Sequence, residues 1–337
     1  MISSRDLKKY DPQKMCEVYD KWPELARKAF FQPTEKIDFK DINEIIFSGM
    51  GGSGSIGDGF SSIFSKTNLN VSTIKGFHLP ESINPKTLVI PISVSGNTIE
   101  THTVLKQAKK RGCKIIAFSS GGKIEKFCNN NKIEYRQIPI VHSPRASFVS
   151  FFYSILNTLE PMIPLKQNII LKSINDLEQL SKNIASHKLD KKNKSLELAK
   201  WINNIPIIYY PNGFKAAAIR FKNSLQENAK LHAMSEDIIE MSHNGIVSWE
   251  KTSSIQPILL EGKDDYIKTK KLQKIVKEYF KKNHIQYNVI SSPTGSILTK
   301  LVYLIYLLDY SSIYKAIIEK IDPSPVKSIE FLKKKIN

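Results

Sequence analysis

The sequence predicts an α/β protein with two similar domains, each a parallel sheet flanked by helices. Short, continuous apolar runs alternate with helix-length stretches in both halves of the chain, as strands buried on both faces require. At 337 residues the chain exceeds one ordinary domain and suffices for two, each able to bury its own core.

In the first half, Glu44–Ser48 (EIIFS), Val71–Lys75 (VSTIK), Thr87–Ser93 (TLVIPIS), Lys114–Ser119 (KIIAFS) and Tyr135–Ile140 (YRQIPI) read as strands. Helical stretches are expected over Gly57–Ser65 and Asn97–Gly112. Glu160–Pro164 carries two prolines after an apolar helix and marks the expected junction, giving domains at 1–160 and 161–337. A polar, lysine-rich helical stretch, Leu177–Lys200, follows. The alternation then restarts with strands Ile205–Tyr210, Ile255–Leu260 and Gln286–Ile290, interleaved with helices Phe214–Glu227, Tyr266–Lys282 and Ser296–Tyr310. Ligands of such sheets lie beyond the carboxyl ends of the strands.

A hydrophobic content of 41% with 24% charged residues describes a globular, ordered chain. The N-terminus lacks the apolar stretch of a signal peptide. The apolar segments Phe148–Leu159 and Ile297–Leu308 fall short of the roughly 18–20 residues a membrane span needs. A cytoplasmic protein with no membrane partner is therefore expected. Three widely spaced cysteines form no CxxC pair, which points to neither a disulfide framework nor a cysteine metal site. The net charge of +18 raises nucleic-acid binding. Only six of the 50 basic residues are arginine, and no aromatic-interleaved stripe accompanies them, so a solvated lysine surface is expected instead. Its field also attracts small dianions.

The first strand runs into Gly49-Met50-Gly51-Gly52-Ser53-Gly54, which satisfies the literal dinucleotide fingerprint. An acidic residue should then stand about 20 residues on. That place holds Ile74, Lys75 and Gly76, so a glycine-rich loop facing another small ligand is the stronger reading. The third strand ends in Ser93-Val94-Ser95-Gly96-Asn97-Thr98, before a helix. Hydroxyls and a glycine at a helix start suit a phosphate monoester. A capping pair of Asn97 and Glu100 accounts for those two residues but leaves Ser93, Ser95 and Thr98 unexplained. Ser143-Pro144 reads as an N-cap and first helical residue, which puts Arg145 in a first turn where the helix dipole disfavours a cation. Such a placement suggests an anionic partner.

In the second half, Glu227 falls at the end of a helix, where the dipole raises a carboxylate's proton affinity and suits it to be a base. His243 sits in the turn sequence Ser242-His243-Asn244-Gly245. His232, Glu236 and Glu240 share a spacing of four, with His243 close behind, and compete as metal ligands on a helix face. No metal-binding signature accompanies them, and a solvated acidic turn is the more ordinary reading.

Together these pieces resemble the bifunctional phosphoglucose/phosphomannose isomerases, a branch of the sugar-isomerase (SIS) domain proteins. The resemblance rests on GMGGSG (Gly49–Gly54), SVSGNTIET (Ser93–Thr101), PRA (Pro144–Ala146), QENAK (Gln226–Lys230), SHNGI (Ser242–Ile246) and DPSPVKSIEFLK (Asp322–Lys333). It implies two SIS domains with flavodoxin-like sheets, and a homodimer whose active sites are shared between subunits. The implied activity interconverts glucose 6-phosphate, and mannose 6-phosphate, with fructose 6-phosphate through a cis-enediol, with no cofactor and no metal. The resemblance assigns Glu227 as the base, His243 as the ring-opening group from the neighbouring subunit, Arg145 as the group steadying the enediolate, and Lys333 as a catalytic lysine. Gly52, Ser53, Ser93, Ser95 and Thr98 match residues that bind phosphate and sugar. Ser324 stands where the family often has threonine, keeping the hydroxyl and losing a methyl. The alternative is a non-catalytic SIS protein that senses a sugar phosphate. Sensors of this kind usually append a DNA-binding domain, and a sensor has no need of Glu227 and His243 together.

Overall fold

The structure, a computed structural model, describes residues 2–336. Contacts divide the chain into two compact units. Residues 21–168 with 327–336 form the first; residues 2–20 with 169–326 form the second. The expected division at 160/161 does not anticipate that the chain ends trade places.

In the first unit, β1 (Glu44–Ser48), β2 (Asn70–Ile74), β3 (Thr87–Ser93), β4 (Lys114–Ser119) and β5 (Glu134–Gln137) form one sheet in the order β2-β1-β3-β4-β5. All four pairings are parallel. Every residue of β3 is buried, as befits a central strand covered on both faces. Helices Gly51–Phe64, Ile99–Lys110 and Gly122–Asn130 alternate with the strands. The last lies in an interval between later strands, where a helix-like stretch is expected, and Gly121 and Gly122 at its start both take positive φ. Aromatic rings knit the core: Phe47 stacks on Phe60 at 4.9 Å, and Phe148 on Phe152 at 5.2 Å. Phe148–Thr158 is an apolar helix, and Trp22 donates from Nε1 to the Ala146 carbonyl at 2.9 Å.

In the second unit, β6 (Ile205–Tyr210), β7 (Met234–Asp237), β8 (Ile255–Gly262) and β9 (Asn288–Ser292) form a parallel sheet ordered β7-β6-β8-β9. Its connectivity repeats β2-β1-β3-β4 of the first unit. Helix Ile297–Ile318 runs well beyond the expected end at Tyr310. Its length and composition match a membrane span, but 89% of its most apolar window is buried. A helix apolar all round belongs in a core. The expected stretch Leu177–Lys200 is two helices, Gln167–Ile184 and Lys194–Trp201, the second capped by the Asn193 side chain.

Residues 15–20 belong to the second unit because their helix docks on Ile297–Ile318. Tyr306 donates to the Tyr19 carbonyl at 2.7 Å, and Tyr310 to the Cys16 carbonyl at 3.0 Å.

Candidate functional site

The first unit gathers its predicted residues at the carboxyl ends of β1 and β3. The helix after β1 starts at Gly51, earlier than expected, so Gly52, Ser53 and Gly54 occupy its first turn. Helix starts carry unpaired N–H groups and a positive dipole end. Three glycines here answer to packing. A Cβ on Gly49 would stand 2.9 Å from the Ile92 carbonyl, and one on Gly54 2.7 Å from the Gly49 carbonyl. A Cβ on Gly52 would touch Pro144 O and Arg145 Cα at 3.4 Å, so the Gly52 backbone and the arginine turn are neighbours. Ser53 Oγ is buried and accepts from the Val94 N–H at 3.3 Å, tying the glycine loop to the serine loop.

The Ser93–Thr98 loop is shaped for close approach. Ser93 Oγ and Thr98 Oγ1 are 2.8 Å apart. Thr98, not Asn97, is the N-cap of helix Ile99–Lys110, and its side chain makes no cap bond. The Asn97–Glu100 capping pair, the alternative to a phosphate site, is not formed. Asn97 instead accepts from the Lys123 N–H at 3.1 Å and donates to the Ser95 carbonyl at 3.0 Å. The first bond caps the start of helix Gly122–Asn130 and the second holds the loop, while the helix after Thr98 keeps no side-chain cap where an anion is favoured. Gly96 has φ +68°, and a Cβ there would run into the Gly121 carbonyl.

Arg145 does not lie in the first turn of a helix, contrary to expectation. The helix begins at Phe148, and residues 143–146 form a turn in which Ala146 N–H reaches Ser143 Oγ at 3.4 Å. Arg145 is 5% exposed, and its backbone neighbours Gly52. Lys333 lies on Lys327–Ile336, an exposed helix of the first unit with a basic last turn.

In the second unit, Glu227 is half-buried in the last turn of helix Lys215–Asn228. Lys230, at φ +56°, donates to the Glu227 carbonyl at 2.5 Å and to the Pro325 carbonyl at 2.7 Å. The lysine thereby ties the end of the glutamate's helix to the segment carrying Ser324, whose N–H bonds Asp322 at 2.9 Å. His243 is exposed, at the turn between helix Ile238–Met241 and the 3-10 helix Gly245–Glu250.

His232, Glu236 and Glu240 do not share a helix face. Met234–Asp237 is strand β7, whose alternation breaks the four-residue spacing. No group of three potential metal-ligating side chains occurs among the described residues. Burial, with Glu240 and Asp237 nearby, raises the Glu236 carboxyl above its ordinary range.

Sequence reasoning missed the pair that anchors the glutamate's helix. Arg220, 2% exposed, donates from Nε and Nη2 to Asp309 Oδ2 at 3.0 and 2.6 Å. Ser224 donates to Asp309 Oδ1 at 2.8 Å, and Tyr19 to Oδ2 at 3.1 Å. The Arg220 charge also feels Glu227, two turns along the same helix. The available signal was a lone acid inside an apolar helix.

The chain matches the SIS domain family over residues 38–157 and the bacterial phospho-glucose isomerase C-terminal SIS domain over residues 191–336. It is 32% identical to a bifunctional phosphoglucose/phosphomannose isomerase of Caldicellulosiruptor bescii, over 96% of this chain and 98% of that protein. Identity to the protein of the same name from Thermoplasma acidophilum is 30%, over 88% and 90% of the two chains. In fold it is similar to the C-terminal domain of glucosamine-fructose-6-phosphate aminotransferase from Francisella tularensis. That likeness has a TM-score of 0.70 at 15% identity, covering 97% of this chain and 100% of the other.

Proposed function

The chain belongs to the bifunctional phosphoglucose/phosphomannose isomerase family, and we propose that it interconverts glucose 6-phosphate and mannose 6-phosphate with fructose 6-phosphate. The observation that carries this is similarity along nearly the whole chain to a protein of that name. The grouping of Gly52, Ser53, Ser93 and Thr98 at two helix starts supports the phosphate-binding part of this reading.

Phosphate is held by the hydroxyls of Ser53, Ser93, Ser95 and Thr98 and by the Gly52 backbone, at two helix starts where an anion is stabilised. Binding the phosphate far from the reacting carbons supplies orientation. His243, from the neighbouring subunit of a homodimer, opens the sugar ring. Glu227 then removes the proton from one of C1 and C2 and returns it to the other through a cis-enediol, so no external oxidant or reductant is consumed. Arg145 steadies the developing oxyanion, Lys333 adds a further cation, and the Ser324 hydroxyl helps admit both C2 epimers. No cofactor or metal takes part, and the cytoplasm is the site of action.

The purified protein should convert fructose 6-phosphate to both aldoses, identified by chromatography. Glu227→Gln should lower turnover at least ~10²-fold while substrate-analogue binding is nearly unchanged. Binding of hexose 6-phosphates without any turnover by the wild type favours the sensor reading and refutes the proposal.

A further inference from the structure

The two sheets share their connectivity but not their ends. In the first unit β5 covers the outer edge of β4. In the second unit the equivalent strand β9 is the sheet edge, and no strand lies beyond it among the described residues. A parallel edge strand presents alternate N–H and C=O groups outward, which seek a further strand. Natural edges are commonly blunted by lysine, proline or a bulge. β9 reads Asn-Val-Ile-Ser-Ser, with none of these residues, and Ser291 is exposed.

Open volume flanks this edge. One groove, of about 610 Å³, runs along β9 and is lined by Lys194, Leu198, Trp201 and Leu307 among others. A smaller pocket of about 150 Å³ adjoins Ser291 and is lined by Lys263, Lys270 and Lys277. Glu197 and Glu261 are the acidic groups of these walls, and both are already paired, with Lys200 and Lys277, each at 2.7 Å. Lys194, Lys263 and Lys270 enter no ion pair among the described residues. The edge is therefore bordered by an apolar floor and surplus positive charge.

We propose that β9 is a docking edge for an acidic, extended peptide segment of another protein, added as a fifth strand. Main-chain bonds to β9 supply the pairing, and the lysines and the Trp201–Leu198 floor select acidic residues alternating with apolar ones. A second copy of this chain is the poorer occupant. Edge-to-edge pairing of two copies would bring these lysines together in a protein whose net charge is +18.

The test uses the full chain and a fluorescein-labelled ten-residue peptide of alternating glutamate and valine, followed by anisotropy. Two control peptides replace valine with proline, keeping the charge and removing strand capacity, or glutamate with lysine. The Glu-Val peptide should bind at least about tenfold tighter than either control. The double substitution Lys194→Glu, Lys270→Glu should weaken it at least about tenfold with unchanged thermal unfolding. Equal binding of the Glu-Val and Glu-Pro peptides would mean charge attraction alone and would overturn the proposal. So would absence of binding, or binding insensitive to the charge reversal. An oligomer in the ultracentrifuge that Val289→Pro dissociates would put a second copy on the edge, and would equally overturn it.

Discussion

Asp309→Leu removes the carboxylate on which Arg220, Ser224 and Tyr19 converge. Asp309 is fully buried and Arg220 is 2% exposed, so water cannot replace the lost acceptor. Breaking a buried pair from one side costs about 3–5 kcal/mol, because a desolvated guanidinium is left uncompensated. That corresponds to roughly a hundred- to several-thousandfold shift in the unfolding equilibrium of the second unit. Removing both charges as Arg220→Met, Asp309→Leu leaves neither a buried guanidinium nor a buried carboxylate from this pair. The double variant should therefore regain at least about 2 kcal/mol over Asp309→Leu. Urea unfolding followed by far-UV circular dichroism, analysed as a double-mutant cycle, measures the coupling. Additive losses, with coupling below about 0.5 kcal/mol, would refute the view that the pair anchors the helix bearing Glu227.

Gly96→Ala should weaken phosphate-ester binding and destabilise the first unit by about 1–3 kcal/mol, since alanine there is strained at positive φ and has no space before Gly121; isothermal titration and melting check both. A carboxyl with a raised folded pKa binds its proton more tightly when folded, so its contribution is complete below the ordinary value of 4.5 and lost as pH rises through the raised one. Glu236→Gln should accordingly flatten the fall in melting temperature as pH rises from 4.5, and an unchanged slope contradicts this. Burial pushes the Cys128 thiol up to about 11, and the buried Cys16 well above its usual range, so iodoacetamide should modify half-buried Cys113 first; peptide mapping that finds Cys128 first is the refuting result. His243→Ala and Glu227→Ala protomers, mixed with exchange verified by tags, should recover activity at about one quarter of sites. Activity remaining at the level of the separate variants means that His243 acts within its own chain.

The strands β1, β3, β4 and β6 were legible because buried parallel strands need unbroken apolar runs, and EIIFS, TLVIPIS, KIIAFS and IPIIYY supply them. Strand β7, Met-Ser-Glu-Asp, gave no such signal, so the spacing of His232, Glu236 and Glu240 suggests a helix that is not there, although the metal reading is not the one preferred. The loop residues of the first unit were legible for a topological reason. Parallel sheets place successive strand-to-helix turns on one side, so motifs distant in sequence meet there without any pairwise signal. Arg145 was singled out by its expected place in a helix's first turn, where a cation is disfavoured, but its turn precedes the helix, because Ser-Pro opens both. The Arg220–Asp309 pair spans 89 residues and joins two helices, a contact that local periodicity does not encode.

The exchange of chain ends fixes an order of events during synthesis. Residues 2–20 are made well before Ile297–Ile318, the helix on which they dock. The first unit likewise waits for residues 327–336 after its sheet is complete. Neither unit is therefore a contiguous stretch that can be finished before the other. A protease cut at 168/169 yields two fragments that each still hold a piece of the other's fold.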